Sequence, residues 1–172
     1  MEAENLPERG EVSLRPWSGE DLPLLVRLLG DPKMTEHLGG PESPEKLRER
    51  HERYTALHGS GRGEMFVIEV GRGSEPAGSV GYWEKEWLGE TVWETGWSIV
   101  PELQGRGIAT RAAVLAVAAA RGEGTHRSIH AFPSVDNGPS NAVCRKAGFT
   151  LRGAYDFEYP PGNILRCNDW FV

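Results

Sequence analysis

Between Trp97 and Arg121 the chain changes period, and this limits its fold more than any other feature. Trp97-Ser98-Ile99-Val100 is β-prone and Pro101 to Gly107 is a short loop ending in small residues. From Ile108 the chain is an alanine-rich helix that Gly122 and Gly124 stop. A strand feeding a helix through such a turn leaves free N–H groups at the helix start, and small residues there let a ligand approach the backbone. The geometry suits a pyrophosphate, and Arg106 and Arg111 can add charge-assisted bonds to it. Two common phosphate motifs do not fit: Gly-Lys-Ser/Thr of the P-loop is missing, and Thr110 and the residues after it match a dinucleotide fingerprint poorly. Taken alone, the glycine pair reads more readily as a structural turn.

The rest of the chain fits one mixed domain spanning 1–172. At 172 residues and 19.0 kDa, about 70% of the unfolded surface can be buried, so a full core needs no staples. Val12–Arg15 reads as a first strand. Ser18 can cap a helix with Glu20 and Asp21 at its positive end and Leu22, Leu25, Val26 and Leu29 as its apolar stripe. Ser43-Pro44-Glu45 starts a second helix that runs to Leu57. Strands are expected at 65–70, 77–83 and 92–100, with turns at 71–75 and 88–90. A strand at 128–132, a helix at 140–146, and strands at 151–157 and 165–171 follow. Early helices, paired middle strands and later strand–helix units make an α/β (α+β) domain.

Composition excludes several classes. The longest nearly apolar stretch, Ile108–Ala120, is too short to span a bilayer and contains Arg111, so no membrane partner is expected. Met1–Arg15 is acidic and lacks a signal peptide's apolar core, and Cys144 and Cys167 make neither a metal cluster nor a disulfide framework. A cytoplasmic location is the expectation. Residues 1–86 hold 11 basic and 17 acidic side chains and so carry the entire net charge of −6; within the neutral second half, Gln104–Arg127 is locally +3. That distribution suits a small anionic ligand better than a nucleic acid, and on charge alone it equally suits a solvated helix face. The five histidines, at 37, 51, 58, 126 and 130, are not spaced as metal ligands, and each reads as a surface or internally satisfied residue.

Gln104-x-x-Gly107-x-Ala109 resembles the signature of the GNAT superfamily of acetyl-CoA-dependent N-acetyltransferases. Asn137-x-x-Ser140 followed by Lys146-x-Gly148-Phe149 resembles the ribosomal-protein (Rim-type) branch. Either motif alone is weak; in this order, one helix and one strand apart, they are specific, and the likeness covers nearly the whole chain. The resemblance implies a single GNAT-like domain with a mixed sheet of about six to seven strands and helices on both faces. It implies acetyl-CoA as cofactor, with the amides of Gln104, Gly105, Arg106, Gly107, Ile108, Ala109 and Thr110 around the pyrophosphate. Ser98, Ile99 and Val100 would offer backbone groups to the pantetheine arm. Asn137 would bond that arm and Ser140 would lie near the thioester sulfur. The structural alternatives are a turn at Asn137-Gly138 and a helix N-cap at Ser140. The tyrosine that often serves as general acid on that helix is missing.

The chemistry implied is attack by a primary amine on a thioester in a ternary complex. The site needs a base for the ammonium, whose ordinary pKa is near ~10.4, and donors for an oxyanion and a leaving thiolate. By resemblance Glu94 is that base, or else a strand-surface glutamate paired with an arginine, and a backbone N–H of Ile99 or Val100 is the oxyanion donor. Cys144, inside a helix among core-like neighbours, is a poor nucleophile. Residues 82–97 interleave aromatic and acidic side chains that could hold a cationic amine. Two of the four tryptophans there are expected in the core and two at the pocket. Trp83, Trp87 and Glu84, with Tyr155 from the tail, are the acceptor-side candidates; Asp156, Glu158, Arg166 and Asp169, around a loop at 159–162, extend that set.

The acceptor is left open between a protein N-terminus, an aminoglycoside-like polyamine and a small metabolic amine. Edge strands near either end could pair in a homodimer, although no residue pattern demands one. The competing readings are a non-catalytic acyl-CoA-binding module and, more remotely, a nucleotide-binding regulatory domain.

Overall fold

The computed structural model describes residues 10–71, 76–158 and 161–172. The expected turn at 71–75 and Tyr159-Pro160 of the tail loop therefore lie mostly outside the described residues. The elements in chain order are β1 (Val12–Pro16), α1 (Leu22–Leu29), α2 (Pro44–Leu57), β2 (Gly63–Val70), β3 (Pro76–Trp87) and β4 (Glu90–Ile99). A short 3₁₀ turn (Pro101–Leu103) leads to α3 (Ile108–Glu123), β5 (Ile129–Ala131), α4 (Gly138–Lys146), β6 (Thr150–Glu158) and β7 (Ile164–Phe171). The strands form one seven-stranded sheet ordered β1-β2-β3-β4-β5-β7-β6. All neighbours are antiparallel except β4 and β5.

Local chemistry explains most boundaries. Ser43 caps α2 by accepting from the Lys46 N–H, with Pro44 at the first helical position. α1 begins later than its charge pattern suggests, because Asp21 is otherwise engaged. Its carboxylate takes the Arg15 guanidinium at 2.8 and 2.9 Å and the Ser18 N–H at 2.7 Å, so Ser18 and Asp21 shape the β1–α1 turn instead of Ser18 capping the helix. Between β3 and β4, Leu88 and Gly89 both take positive φ, as a tight two-residue hairpin requires. α3 ends on Gly124 in the left-handed conformation, with Gly122 inside its last turn.

The two faces of the sheet are covered differently. One packs Met65 and Val67 against Leu24, Leu25, Leu28 and Leu29 of α1 and Leu47 of α2. The other packs Ile68, Val80 and Ile99 against Ile108, Ala112 and Ala116 of α3, and Trp93 against Val117, Ala120 and Cys144 of α4. Helices thus cover both faces. Of the four middle tryptophans only Trp93 is fully buried; Trp97 is half-buried on the α3 face and Trp83 half-buried against the cluster of α1 and α2, so the expected two core tryptophans reduce to one. Among the described residues no helix is long and apolar enough to cross a membrane.

Candidate active site

β4 and β5 touch over two rungs only, Trp93↔Ile129 and Glu94↔His130. Beyond Glu94 the two strands part, while β4 stays paired to β3 as far as Ile99. Backbone direction alternates along a strand. The Trp93 N–H bonds Ser128 O on the β5 side and the Val100 N–H bonds Ala77 O on the β3 side, so the backbone groups of Trp97 and Ile99 face the gap. Ser98 faces the other way: a Cβ on Gly78 would lie 2.0 Å from its carbonyl oxygen. Of Ser98, Ile99 and Val100, only Ile99 therefore turns its backbone to the gap. Val100 is excluded as oxyanion donor because its N–H is already bonded at 2.9 Å. Trp97, whose backbone also faces the gap, was not marked by the sequence; strand parity would have found it.

The glycine turn closes one end of the gap. Gly105 and Gly107 have φ of +75° and +74° and open space where a Cβ would stand. The first bond of α3 runs from the Arg111 N–H to Gly107 O, so the N–H groups of Ile108, Ala109 and Thr110 are left free by helix geometry. Gln104 plays a different part from the one expected. Its N–H bonds Pro101 O, and its side-chain Nε2 donates to Ile99 O at 3.0 Å, tying the loop to the end of β4. Arg106 and Arg111 bond loop carbonyls, and Arg111 also reaches Gly10 O of the chain entering β1 at 3.0 Å.

On the other side of the gap stands the start of α4. Asn137 is its N-cap, accepting from the Ser140 N–H at 3.1 Å. Ser140 is therefore not the cap, and its half-buried hydroxyl makes no hydrogen bond among the described residues. Asn141, which the sequence did not single out, anchors this helix: its Oδ1 accepts from Asn168 and Trp170 of β7, both at 2.8 Å. Cys144 is fully buried, and burial pushes its thiol up to about 12, as expected for an inert core cysteine.

Side chains across a rung share a face, so Trp83, Glu94 and His130 stand together on the face of α1 and α2. Trp83 Nε1 donates to Glu94 Oε2 at 3.0 Å, and Lys85 Nζ lies 3.8 Å from the same oxygen. The alternative of a glutamate paired with an arginine is thus replaced by a lysine and an indole. Burial raises the Glu94 carboxyl above its usual range, with Lys85, Trp83 and His130 opposing. His130 is buried against the fully buried Asp169: Nδ1 and Oδ1 are 2.6 Å apart, and the second oxygen takes Trp87 Nε1 at 2.9 Å. His130 is thus an internally satisfied histidine. Trp87 also packs on Phe157, Tyr155 and Phe132 with ring centroids 5.0–5.1 Å apart.

Of Trp83, Trp87, Glu84 and Tyr155, Glu84 is the one that the fold removes from the acceptor side. It stands between Trp83 and Lys85 in a regular strand and so points to the opposite face. There it meets His126 Nε2 at 3.1 Å and Arg62 Nε at 3.3 Å, and these partners hold its carboxyl below the ordinary range. Asp156 and Arg166 pair with each other on the exposed β6–β7 hairpin. Glu158 caps the Gly162 N–H. Among the described residues there is no group of three or more metal-ligating side chains.

A family model described as "Acetyltransferase (GNAT) domain" matches residues 11–150. No curated protein matches the sequence. Among solved structures, the chain is similar to RimL, a ribosomal L7/L12 alpha-N-protein acetyltransferase in complex with coenzyme A. The identity is 25%, coverage is 94% of this chain and 93% of that one, and the TM-score is 0.73. Two others are alike in fold at 20% identity with 94% of both chains covered: aminoglycoside acetyltransferase AAC(6')-Ib with coenzyme A (TM-score 0.74) and spermidine N-acetyltransferase from Vibrio cholerae with coenzyme A and spermine (TM-score 0.75).

Proposed function

The chain belongs to the GNAT acetyltransferase domain family, and on that premise we propose that it moves an acetyl group from acetyl-CoA to one primary amine beside Glu94, by direct attack in a ternary complex. The carrying observation is the parting of β4 from β5 immediately after Glu94, with the glycine turn and the free N-terminus of α3 at one end of the opening. The residues fit the cofactor. The free amides of Ile108, Ala109 and Thr110, approached over Gly105 and Gly107 with Arg106 between them, would hold the pyrophosphate. The Ile99 N–H and Trp97 backbone would line the pantetheine arm, with Asn137 and Ser140 across from them. Bound acetyl-CoA supplies a thioester carbonyl.

This chain's own groups do the rest. Glu94 takes a proton from the acceptor ammonium, and its raised carboxyl pKa makes it a better base than an exposed glutamate. The Ile99 N–H stabilises the developing oxyanion, and the Ser140 hydroxyl, free of protein partners among the described residues, donates toward the leaving sulfur. Trp83 fixes the Glu94 carboxylate, and Trp87 with Tyr155 walls the acceptor side.

The three similar structures are named for acceptors of three kinds: a protein N-terminus, an aminoglycoside and spermidine. The charge beside Glu94 favours an acceptor with a single cationic centre, a peptide N-terminus or a small metabolic amine. Lys85 already places a positive charge there, and Glu84 stands on the opposite face. The test is thiol release from acetyl-CoA across peptides, amino acids, polyamines and aminoglycosides. Release dependent on a monocationic amine supports the reading. Release with polycations alone overturns the acceptor class. Binding of acetyl-CoA with no release from any amine points to an acyl-CoA-binding module.

A further inference from the structure

We propose that His130, held by Asp169, takes over the proton that Glu94 removes from the acceptor and passes it to solvent, restoring the Glu94 carboxylate in every turnover. This role rests on the transferase reading above. His130 is 2% exposed and stands beside Glu94 on the last rung before the gap, with both side chains on one face of the sheet. Asp169 occupies only one of its ring nitrogens, Nδ1, at 2.6 Å. Nε2 has no hydrogen-bond partner among the described residues, yet the side-chain atom there that is both buried and unpaired is Trp93 Nε1. The second nitrogen of His130 therefore still meets solvent. The ring is held in place by Phe132, with planes 11° and centroids 5.7 Å apart. The Asp169 carboxylate is fully buried, and Trp87 Nε1 donates to its other oxygen at 2.9 Å. A carboxylate fixed on Nδ1 with Nε2 left to accept is the arrangement that sets an imidazole as a base.

The other neighbours of Glu94 cannot do this. The Trp83 indole N–H at 3.0 Å only donates, and so does the Lys85 ammonium at 3.8 Å. Both steady a carboxylate, and neither takes a proton from a carboxylic acid. Burial raises the Glu94 carboxyl, so its protonated form persists unless another group drains it. The charged or titratable groups around His130 are Glu94 from β4 and Asp169 from β7, with Lys85 of β3 against Glu94. The transfer balances without a co-reactant. One ammonium proton goes to Glu94 and then to Nε2. Asp169 stabilises the imidazolium so formed, which loses the proton from Nε2 to solvent. Glu94 and His130 end as they began, with one proton released per acetyl group moved. His130 acts through Glu94 and is a positioning residue.

The experiment measures kcat and KM by thiol release for the wild type, His130→Gln and Asp169→Asn, with and without added imidazoles of graded basicity. Release without acceptor is subtracted. Glutamine at 130 cannot take the proton, and Asp169→Asn keeps the ring but withdraws the charge that stabilises its imidazolium. In both variants kcat should fall at least about tenfold, with KM for acetyl-CoA and for the acceptor within about threefold of the wild type. Added imidazoles should restore kcat in proportion to their concentration, and the more basic ones more strongly. Unchanged kcat in His130→Gln overturns the proposal. So does a loss that the imidazoles fail to restore, or restore regardless of basicity, since filling a void needs only size. A second measurement needs no variant. Nitrogen NMR of the wild type should show His130 with its proton on Nδ1 and an accepting Nε2 within the active pH range; a proton fixed on Nε2 throughout that range overturns the proposal. Amine-dependent release by the wild type separates the two failures. If it persists, only the His130 role falls; if it is missing too, the transferase reading falls with it.

Discussion

Glu94 and His130 face each other across the last rung that joins β4 to β5. That single pairing decides where the sheet opens and what chemistry stands at the opening. On one side, Glu94 is fixed by Trp83 and faces Lys85; on the other, His130 is fixed by Asp169, which Trp87 holds in turn. Four strands, β3, β4, β5 and β7, thus deliver side chains to one small patch. Each arrives there through the two-residue alternation of an extended chain.

Glu94→Gln should lower turnover roughly 100- to 10,000-fold while acetyl-CoA binding is kept. Burial raises the Glu94 carboxyl. Its ionised form is therefore disfavoured in the folded chain, and stability falls as pH rises from its unfolded value through its folded one. Above that window the glutamate costs stability that glutamine does not, so the variant should melt no lower than the wild type at neutral pH. Calorimetry alongside thiol release checks both halves; loss of turnover with a large drop in Tm would mean a folding role instead.

The Lys85 charge opposes the rise of the Glu94 carboxyl. Lys85→Met removes it, so the carboxyl should climb further. With an acceptor of fixed amine pKa, the acid limb of kcat/KM should then move to higher pH. A pH–rate profile of wild type against variant reads the shift directly, and coincident limbs would detach Glu94 from the rate.

Gly107 stands at φ +74° on the residue that opens α3. An alanine there costs about 1–2 kcal/mol of left-handed strain, and relief of that strain would turn the loop amides away. Acetyl-CoA affinity should fall about tenfold, read by titration calorimetry, with the far-UV spectrum unchanged. Unaltered affinity would show that the turn does not hold the cofactor.

Local signals made the elements legible. Ser43-Pro44 set one helix start, Leu88-Gly89 set the β3–β4 turn, and the alanine run marked α3. The glycine turn before α3 was legible because Gly105 and Gly107 stand one residue apart in the chain. Glu94, Trp83 and Trp87 could be read together because one hairpin carries all three. What was not legible needed parity and register. Glu84 reads like its neighbours in composition, yet one residue's offset puts it on the far face. The partnership of His130 with Asp169 joins residues 39 positions apart, and only the β5–β7 pairing brings them together. Asn141 looked like any helix residue until the fold put β7 against it.

Cys144→Ala should leave turnover largely intact. The thiol is fully buried, raised to about 12, and packed among Trp93, Val117 and Ala120. Losing one buried atom costs about 1 kcal/mol of stability. Loss of turnover with normal melting would instead reveal a covalent acetyl-cysteine, and so sink direct attack.

Asp21 locks the first strand to the first helix, and its removal should be felt in stability and not in catalysis. Burial would raise this carboxyl, but the Arg15 guanidinium and the N–H and hydroxyl of Ser18 outweigh it and hold it below its usual range. A lowered carboxyl contributes stability that is present above its unfolded value of about 3.9 and is lost as pH falls through its lower folded value. Asp21→Asn should cost about 1–3 kcal/mol at neutral pH, because Arg15 is left beside a group that cannot take two charge-assisted bonds. In urea melts the gap between wild type and variant should close as pH is lowered into that acid range. A gap that stays constant with pH would place the effect in packing and not in the charge.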